Sequence, residues 1–336
     1  MSNARELAQI PSTPSGRRNI VINGAMQVAQ RATSDTGIGA SAGYFTVDRF
    51  RVSPTSTAGR LTMSQDSDAP EGFGKALKLD CTTADTSVAA GEAFLLITEF
   101  EGQDVQKLAK GTSSAKEVTL SFYAKANASK TYVVELKDID NTRTCSKAFT
   151  VGTSYTRHEI TFPADTTGVL DNDNAKSLAI HFWLHAGSTY TGGTLQTAWG
   201  AQSNADRAAG IDSIFSSTDN TFFITGVQLE VGSVATEFEH RSFGEELQLC
   251  KRYFQNHATT SAIQYMAFPY ASFSGTKYFD LTWPVEMRAA PTVTVSSWQG
   301  NATPTVYNAN QRACTLSGST QFYANSSSTF TADAEL

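Results

Sequence analysis

The feature that most constrains this chain is a succession of short runs in which apolar and polar residues alternate. In residues 118–124 (VTLSFYA), positions 118, 120 and 122 are apolar, and in residues 178–184 (LAIHFWL) every second residue is apolar. A period of two places one face of a strand on a core and the other against solvent or a partner. Gly, Asn, Asp and Ser separate the runs, as is typical of turns between strands.

About eleven such runs, each of strand length, follow one another between residue 19 and residue 240. They are Ile20–Ile22, Tyr44–Val52, Arg60–Met63, Ala76–Leu79, Phe94–Phe100, Val118–Ala124, Tyr132–Leu136, Lys147–Val151, His158–Phe162, Leu178–Leu184 and Phe222–Leu229. No long helical pattern stands between them. This arrangement predicts an all-β fold, an antiparallel sandwich, and the size fits a jelly roll best.

One stretch has a helical pattern instead. Ser242 can cap a helix, and Glu245 follows at the three-residue spacing of a capping box. Apolar residues then repeat at helical intervals and predict one short helix over residues 242–255. The stripe consists of Phe243, Leu247, Cys250 and Phe254. It either packs on the core or forms a seam between subunits.

Strand-like runs return after the helix. They are Ala262–Ser272, Lys277–Thr282, Thr292–Trp298, Cys314–Ser317 and Thr320–Ala324. We therefore predict four parts: an N-terminal arm (1–18), a jelly-roll sandwich (19–240), a linking helix (241–256) and a small C-terminal β-domain (257–336). A β-domain of this last size is marginal on its own.

Composition and motifs exclude several classes of protein. Charged residues make up 17% of the chain and the formal net charge is −6, which argues against a nucleic-acid partner. No apolar run approaches the ~20 residues that span a bilayer. Catalytic and phosphate-binding motifs are missing in any suitable context, so we predict no enzyme and no cofactor. A carboxylate pair for glycoside hydrolysis stays open, since such partners need not be close in sequence.

The N-terminal arm is polar and ends in the pair Arg17 and Arg18. Two interpretations are equally open: a disordered terminus, or an anchor that orders only on a neighbouring protein. The four cysteines are dispersed and are predicted to be small buried or half-buried residues rather than a disulfide framework. They are Cys81, Cys145, Cys250 and Cys314.

Two groups of side chains are candidates for ligand recognition. On a strand over 178–185, His181, Trp183 and His185 share the face opposite the apolar stripe, where an aromatic ring could stack on a sugar or two imidazoles could hold a metal. The alternative is that Trp183 packs in a second sheet or subunit contact. No metal site is predicted. The segment 188–200 carries Tyr190 and Trp199, whose flat rings also suit sugar stacking.

The C-terminal part is dense in aromatic residues, among them Tyr278, Trp283 and Trp298. Most of them must build the core of a small domain. Some should stay exposed at a tip or in a seam between subunits. Together with the helical stripe, the candidate trimer or tip contacts are Phe243, Leu247, Phe254, Trp283 and Trp298.

Several blocks of the chain resemble, in order, a family of bacteriophage virion proteins known from marine phages and cyanophages. The blocks are 19–31 (NIVINGAMQVAQR), 44–50 (YFTVDRF), 66–73 (DSDAPEGF), 99–102 (EFEG), 118–122 (VTLSF), 162–168 (FPADTTG) and 224–253 (ITGVQLEVGSVATEFEHRSFGEELQLCKRY). Residues 284–292 and 332–336 look like a tip domain that often follows them. The resemblance covers about two thirds of the chain, and block 224–253 is its most specific part.

The resemblance implies a structural virion component, a homotrimeric tail fibre or spike with a jelly-roll body similar to carbohydrate-binding modules. Its expected partners are other copies of itself, virion proteins such as a tail adaptor or the capsid, and a glycan or protein on the host surface. Arg17 and Arg18 would belong to the virion anchor. The alternative is a head fibre, or a capsid decoration or cement protein, without receptor binding. No catalytic motif of the family maps onto this sequence.

Overall fold

The computed structural model describes residues 17–257, 276–297, 299–300, 303–318, 322–323 and 329–336. Residues 1–16 of the predicted arm, the predicted strand 262–272 and Trp298 lie outside these described residues. Within them the chain is all-β, with antiparallel sheets and few helical segments. The predicted fold class is therefore confirmed, while the division of the chain into four parts stays a prediction.

Twenty strands follow one another in the described residues. They are β1 (Ser34–Ile38), β2 (Arg51–Thr55), β3 (Arg60–Asp66), β4 (Ala76–Thr83), β5 (Ala93–Glu101), β6 (Val118–Ala126), β7 (Lys130–Asp138), β8 (Arg143–Val151), β9 (Thr156–Phe162), β10 (Lys176–Ala186), β11 (Gly200–Ala201), β12 (Thr221–Val231), β13 (Phe254–Asn256), β14 (Lys277–Thr282), β15 (Thr292–Ser296), β16 (Gln299–Gly300), β17 (Thr305–Ala309), β18 (Ala313–Gly318), β19 (Phe322–Tyr323) and β20 (Thr329–Asp333). The α-helices are α1 (Gly102–Val105), α2 (Ser188–Thr191) and α3 (Phe243–Lys251), and short 3₁₀ turns lie at Gln106–Leu108, Asn204–Asp206 and Ile214–Ser216.

Two six-stranded sheets form the sandwich. The first has the order β1-β3-β4-β12-β6-β9 and the second β11-β8-β7-β10-β5-β2. The alternation seen in the sequence is realised directly, because Ile180 and Phe182 of β10 are buried in the core between the sheets. Phe122 of β6 meets Phe182 edge to face with ring centroids 5.2 Å apart. Aromatic side chains of this size contribute most of the burial that holds such a core.

Two predicted strands near the N-terminus are wrong. Ile20–Ile22 is not a strand, and of Tyr44–Val52 only the last two residues are, since β2 begins at Arg51. The local hydrogen bonds explain this: the Asp48 backbone N–H donates to the carbonyl of Val28, and the Asp48 carboxylate accepts from the Gln30 backbone N–H at 2.9 Å. Such side-chain bonds to the backbone compete with strand pairing.

The predicted helix is confirmed at its start and wrong at its end. Ser242 caps α3 and accepts from the Glu245 backbone N–H at 3.3 Å, as the capping-box spacing indicated. The helix ends at Lys251 because Phe254–Asn256 pairs with β20 as strand β13. A tertiary pairing partner far along the chain thus overrides the local helical pattern.

A second, smaller core lies in the C-terminal part. Three-stranded sheets with the orders β13-β20-β15 and β14-β18-β17 contribute to it, and β16 pairs with β19. Its buried members include Trp283, Met287, Leu316 and Phe330. The indole N–H of Trp283 donates to the carbonyl of Asn310 at 2.9 Å. This region is therefore packed around its own apolar centre.

The two parts are joined by buried charges. The Arg49 guanidinium is buried, forms an ion pair with Glu335, and lies 3.5 Å from the centre of the Tyr253 ring. Arg31 also reaches Glu335, at 3.4 Å. These contacts fix Glu335, which follows β20, against Arg49 in the loop that precedes β2.

All four cysteines are buried and unpaired, which confirms their predicted burial. No helix among the described residues combines the length and the apolar character of a transmembrane span.

Candidate functional site

The predicted sugar-binding row lies on the outer face of the second sheet, and this face is covered. The segment 187–213 packs over it and places Ala208, Tyr190 and Ile211 against the sheet. We call this surface the covered face; its apolar members on the sheet are Ala93, Leu95, Ile97, Val133, Ala179 and Trp183. Trp183 is only 1% exposed, and His181 and His185 are also buried.

Trp183 therefore offers no ring face to a ligand. Its ring lies 5.1 Å from that of Tyr190, and the Arg207 guanidinium lies 4.7 Å from its centre. Of the two interpretations of Trp183, ligand binding and packing within the protein, the structure supports packing: Trp183 is buried beneath a second layer. That layer is a segment of the same chain, however, and not a second sheet.

His181 belongs to a closed network of charges on this face. Arg207 donates two hydrogen bonds to Glu135, at 2.8 and 2.6 Å, and His181 Nδ1 lies 3.2 Å from Glu135 Oε1. Burial by itself raises the pKa of Glu135, but the hydrogen bonds from Arg207 and His181 outweigh it and lower this pKa to about 2. Burial lowers the pKa of His181. The carboxylate is thus neutralised within the protein and needs no ligand.

A glycine lets the covering segment leave β10. A Cβ on Gly187 would lie 2.0 Å from the carbonyl oxygen of Ala89, so only glycine permits this approach of two backbones. The Gly187 backbone N–H donates to the carbonyl of Glu92 at 2.8 Å. The start of the segment is thereby fixed at the edge of the sheet.

The two predicted loop aromatics are half-buried and lie in different clusters. Tyr190 packs on Trp183, whereas Trp199 packs against the core of the sandwich. The indole N–H of Trp199 donates to the carbonyl of Pro163 at 2.9 Å, and Lys110 Nζ lies 4.9 Å from its ring centre. Each ring is therefore held by contacts within the chain.

The C-terminal sheet carries an exposed pair of aromatic rings. Tyr278 on β14 and Tyr307 on β17 are 55% and 66% exposed. Their ring centroids are 4.8 Å apart at 67°. The strand β18 lies between β14 and β17, so the pair bridges it. The two exposed rings form one continuous aromatic surface, which makes them a candidate interaction site.

Polar side chains accompany this pair. Phe279 and Leu281 of β14 pack on the smaller core, so alternation turns Tyr278 and Asp280 outward. Thr315 of β18 stands opposite Asp280 and donates a hydrogen bond to its carboxylate at 2.6 Å. We call this surface the open face and define it by Tyr278, Asp280, Tyr307 and Thr315.

Sequence reasoning singled out Tyr278 only as one aromatic among many, and it missed Tyr307. The signal for Tyr307 was the period of two in residues 305–309 (TVYNA), where Val306 and Ala309 pack on the smaller core. A bulge between positions 306 and 308 interrupts the alternation and weakens that signal.

The predicted trimer or tip contacts divide into two groups. Phe254 and Trp283 are buried within the chain, so they are wrong as surface contacts; the Arg31 guanidinium covers the Phe254 ring at 3.6 Å. Phe243, at the start of α3, is exposed, and Leu247 is half-buried. Phe243 and Leu247 remain the candidates that reach the surface.

The arginine pair of the predicted anchor lies beside α3. Arg17 forms an ion pair with Glu245 at 2.9 Å, and Arg18 donates to the carbonyl of Glu237 at 3.4 Å. Both contacts are exposed, where ion pairs contribute little to stability. An anchoring role for this pair stays a prediction.

No protein-family model matches the chain, and no curated protein matches it significantly. Among solved structures, the chain is similar to a family 4 carbohydrate-binding module, with 10% identity and a TM-score of 0.32 over 62% of this chain and 98% of that one. A family 11 carbohydrate-binding module from Clostridium thermocellum shares 13% identity, with a TM-score of 0.30 over 60% of this chain and 98% of that one. A family 22 xylan-binding domain from Paenibacillus barcinonensis shares 10%, with a TM-score of 0.30 over 60% and 94%. Similarities of this size indicate nothing about the ligand of this chain.

Proposed function

We propose that this chain is a non-catalytic structural protein of a phage virion, a trimeric fibre or spike that binds a host-surface glycan through its open face. The observation that supports glycan binding is the exposed pair Tyr278 and Tyr307. The virion role is supported by the sequence resemblance given above, and its localisation to the virion is part of this proposal.

The open face has the chemistry that a sugar requires. A tyrosine ring presents a flat apolar surface, which suits the C–H face of a pyranose, and a hydroxyl at its edge. Two rings at 67° form a shallow corner rather than a single flat platform. Asp280 and Thr315 stand beside the rings and can accept or donate hydrogen bonds that fix the orientation of sugar hydroxyls.

A trimer would make weak contacts effective. A single exposed corner of two rings buries little area, so its affinity for one sugar would be low. Three linked copies on one fibre, and several fibres on one particle, raise the effective concentration of binding sites without any new contact. The exposed ring of Phe243 on α3 is a suitable place for a contact between copies.

The direct test is a glycan-binding assay on the full-length chain with three variants. Tyr278→Ala and Tyr307→Ala should each weaken binding roughly 30-fold, the equivalent of about 2 kcal/mol for a central contact. The control Val234→Ala removes another exposed apolar side chain and should leave binding unchanged. Absence of glycan binding, or binding that ignores both tyrosine variants, would overturn the proposal.

The virion role and the absence of catalysis need separate measurements. Antibody labelling of virions supports a fibre if density appears at the tail, whereas density over the head would favour the head-fibre or capsid-decoration alternative. Light scattering on the purified chain should give a trimer; a stable monomer at micromolar concentration contradicts it. Release of oligosaccharide from host polysaccharide would contradict the non-catalytic role.

A further inference from the structure

Three ligand-type side chains meet at one end of the sandwich, away from the open face. His185 lies near the end of β10, Glu92 immediately precedes β5, and Asp85 follows β4. Their candidate ligand atoms all lie within 4.8 Å of one another. His185 is 0% exposed, and the two acids are each 6% exposed. Asp85 and Glu92 lie seven residues apart in the connection from β4 to β5, whereas His185 comes 93 residues after Glu92, so only the fold brings it to them.

The ion-pair partner in this cluster is a histidine rather than a lysine or arginine. His185 Nε2 lies 3.3 Å from Glu92 Oε2. Within the described part of the chain, no Lys or Arg forms an ion pair with Asp85 or Glu92. Two shielded carboxylates this close repel each other unless a proton or a cation lies between them.

A second histidine on β10, His181, can be compared with His185. Four residues before His185, His181 also faces a buried carboxylate, Glu135, but there Arg207 supplies two hydrogen bonds and a fixed positive charge. At His185 the further neighbour is a second carboxylate, Asp85, instead of a guanidinium. The first group contains an arginine, whereas within the described residues no Lys or Arg forms an ion pair with the carboxylates of the second.

The surroundings hold the three side chains in position. His185 Nδ1 lies 2.7 Å from Ser213 Oγ. Asp85 Oδ2 accepts hydrogen bonds from Thr57 Oγ1 at 2.9 Å and from the Ala58 backbone N–H at 2.8 Å. When Nδ1 donates to Ser213, the lone pair of Nε2 points toward Glu92. Outer hydrogen bonds of this kind orient the ligands of protein metal sites.

We propose that Asp85, Glu92 and His185 bind one divalent first-row metal ion, with Zn²⁺ the best fit. One imidazole and two carboxylates give three ligands of the types that Zn²⁺ accepts, and water completes the tetrahedron. Ca²⁺ or Mg²⁺ would favour an all-oxygen set. The ion would tie the loop after β4 and the turn before β5 to the end of β10.

The test uses the full-length chain, purified without a metal-affinity step and treated with a chelator. Titration with Zn²⁺ alone should show one site per chain and a rise in Tm. Co²⁺ should give the visible absorption bands of a low-symmetry site with a nitrogen ligand. These two measurements need no variant, so they stand even where a substitution impairs folding.

Variants assign the site to the three residues. Glu92→Gln, Asp85→Asn and His185→Gln should each weaken Zn²⁺ binding by at least about tenfold. His181→Gln is the matched control, because it removes an imidazole from the same strand at the group already neutralised by Arg207, and it should bind Zn²⁺ like the original chain. The proposal is overturned if millimolar Zn²⁺ neither binds nor raises Tm, if Ca²⁺ binds better than Zn²⁺, or if the three variants keep full affinity.

Discussion

The covered face and the open face are both outer faces of β-sheets on which aromatic and polar side chains alternate, yet the first is buried and the second is exposed to solvent. On the covered face Trp183 is buried beneath the segment 187–213, whereas on the open face Tyr278 stays more than half exposed. The difference lies outside both strands. Alternation tells which side chains leave the core, but it does not tell whether another segment of the chain lies on top of them.

Covering a face also changes how its charged side chains are stabilised. On the covered face Glu135 has no contact with water and is held by Arg207 and His181. On the C-terminal part, Glu286 pairs with Arg312 while both stay largely exposed to solvent. A buried carboxylate depends on its partner, whereas an exposed one is stabilised by water in any case.

The largest effect should follow from removing the cation of the covered face. Arg207→Gln leaves Glu135 buried without its guanidinium, and loss of one partner of a buried pair costs about 3–5 kcal/mol. The matched control is Arg312→Gln, whose exposed pair is worth about 0–1 kcal/mol. The free energy of unfolding from urea titration measures both. Equal effects would mean that the segment 187–213 does not shield Glu135.

A somewhat smaller contrast should separate the aromatic rings of the two faces. Trp183→Ala removes a buried indole and is expected to cost about 3 kcal/mol or more. Tyr278→Ala removes a ring that is mostly in water and should change stability by no more than about 0.5 kcal/mol. Thermal and urea unfolding of the two variants check this. A strongly destabilised Tyr278→Ala would show that the open face is packed against something within the chain.

Much of the fold could be predicted from the sequence because the signals are local. The strand 277–282 and the start of α3 at its capping box were both predicted at the residues where the structure has them. Most strands of the sandwich were also located, although the structure extends several of them. Alternation and capping depend on neighbours a few residues apart, so one sequence carries them.

The candidate sites depend on contacts that no local pattern encodes. Arg207 meets Glu135 across 72 residues of sequence, and nothing near either residue indicates the other. The helix was predicted too long for the same reason, since β13 finds its partner in β20 near the C-terminus. The strand face of His181 and Trp183 was correctly inferred, and burial of Trp183 under a second sheet or subunit was one interpretation, but the segment that covers it was not identified. No local pattern in the segment 187–213 indicates that it packs over the second sheet.

The dependence of stability on pH should sharpen the comparison further. The folded pKa of Glu135 is about 2, below its ordinary value of 4.5, and burial places the pKa of His181 below 6.5. In both cases the unfolded chain takes up protons first as the pH falls. The free energy of unfolding should therefore decline below pH 6.5 and decline further between 4.5 and 2.

The variant His181→Gln tests the upper part of this range. It should make the decline just below pH 6.5 less steep, although burial also lowers the pKa of His158, His185 and His257 and these contribute to it. The decline below 4.5, which depends on Glu135, should remain. Urea titrations at a series of pH values measure both. An unchanged slope below pH 6.5 would show that His181 is as accessible to protons in the folded chain as in the unfolded one.

The smallest expected effect concerns the polar edge of the open face. Thr315→Val keeps the shape of the side chain and removes only the exposed hydrogen bond to Asp280. Stability should change by no more than about 0.5 kcal/mol, because water replaces the lost partner. If the open face binds glycan, however, Asp280 loses the contact that orients it, and glycan affinity should fall while both tyrosine rings are unaltered. If Thr315→Val keeps full glycan affinity, binding depends on the two rings alone. If it loses stability, the open face is less exposed than its side chains indicate.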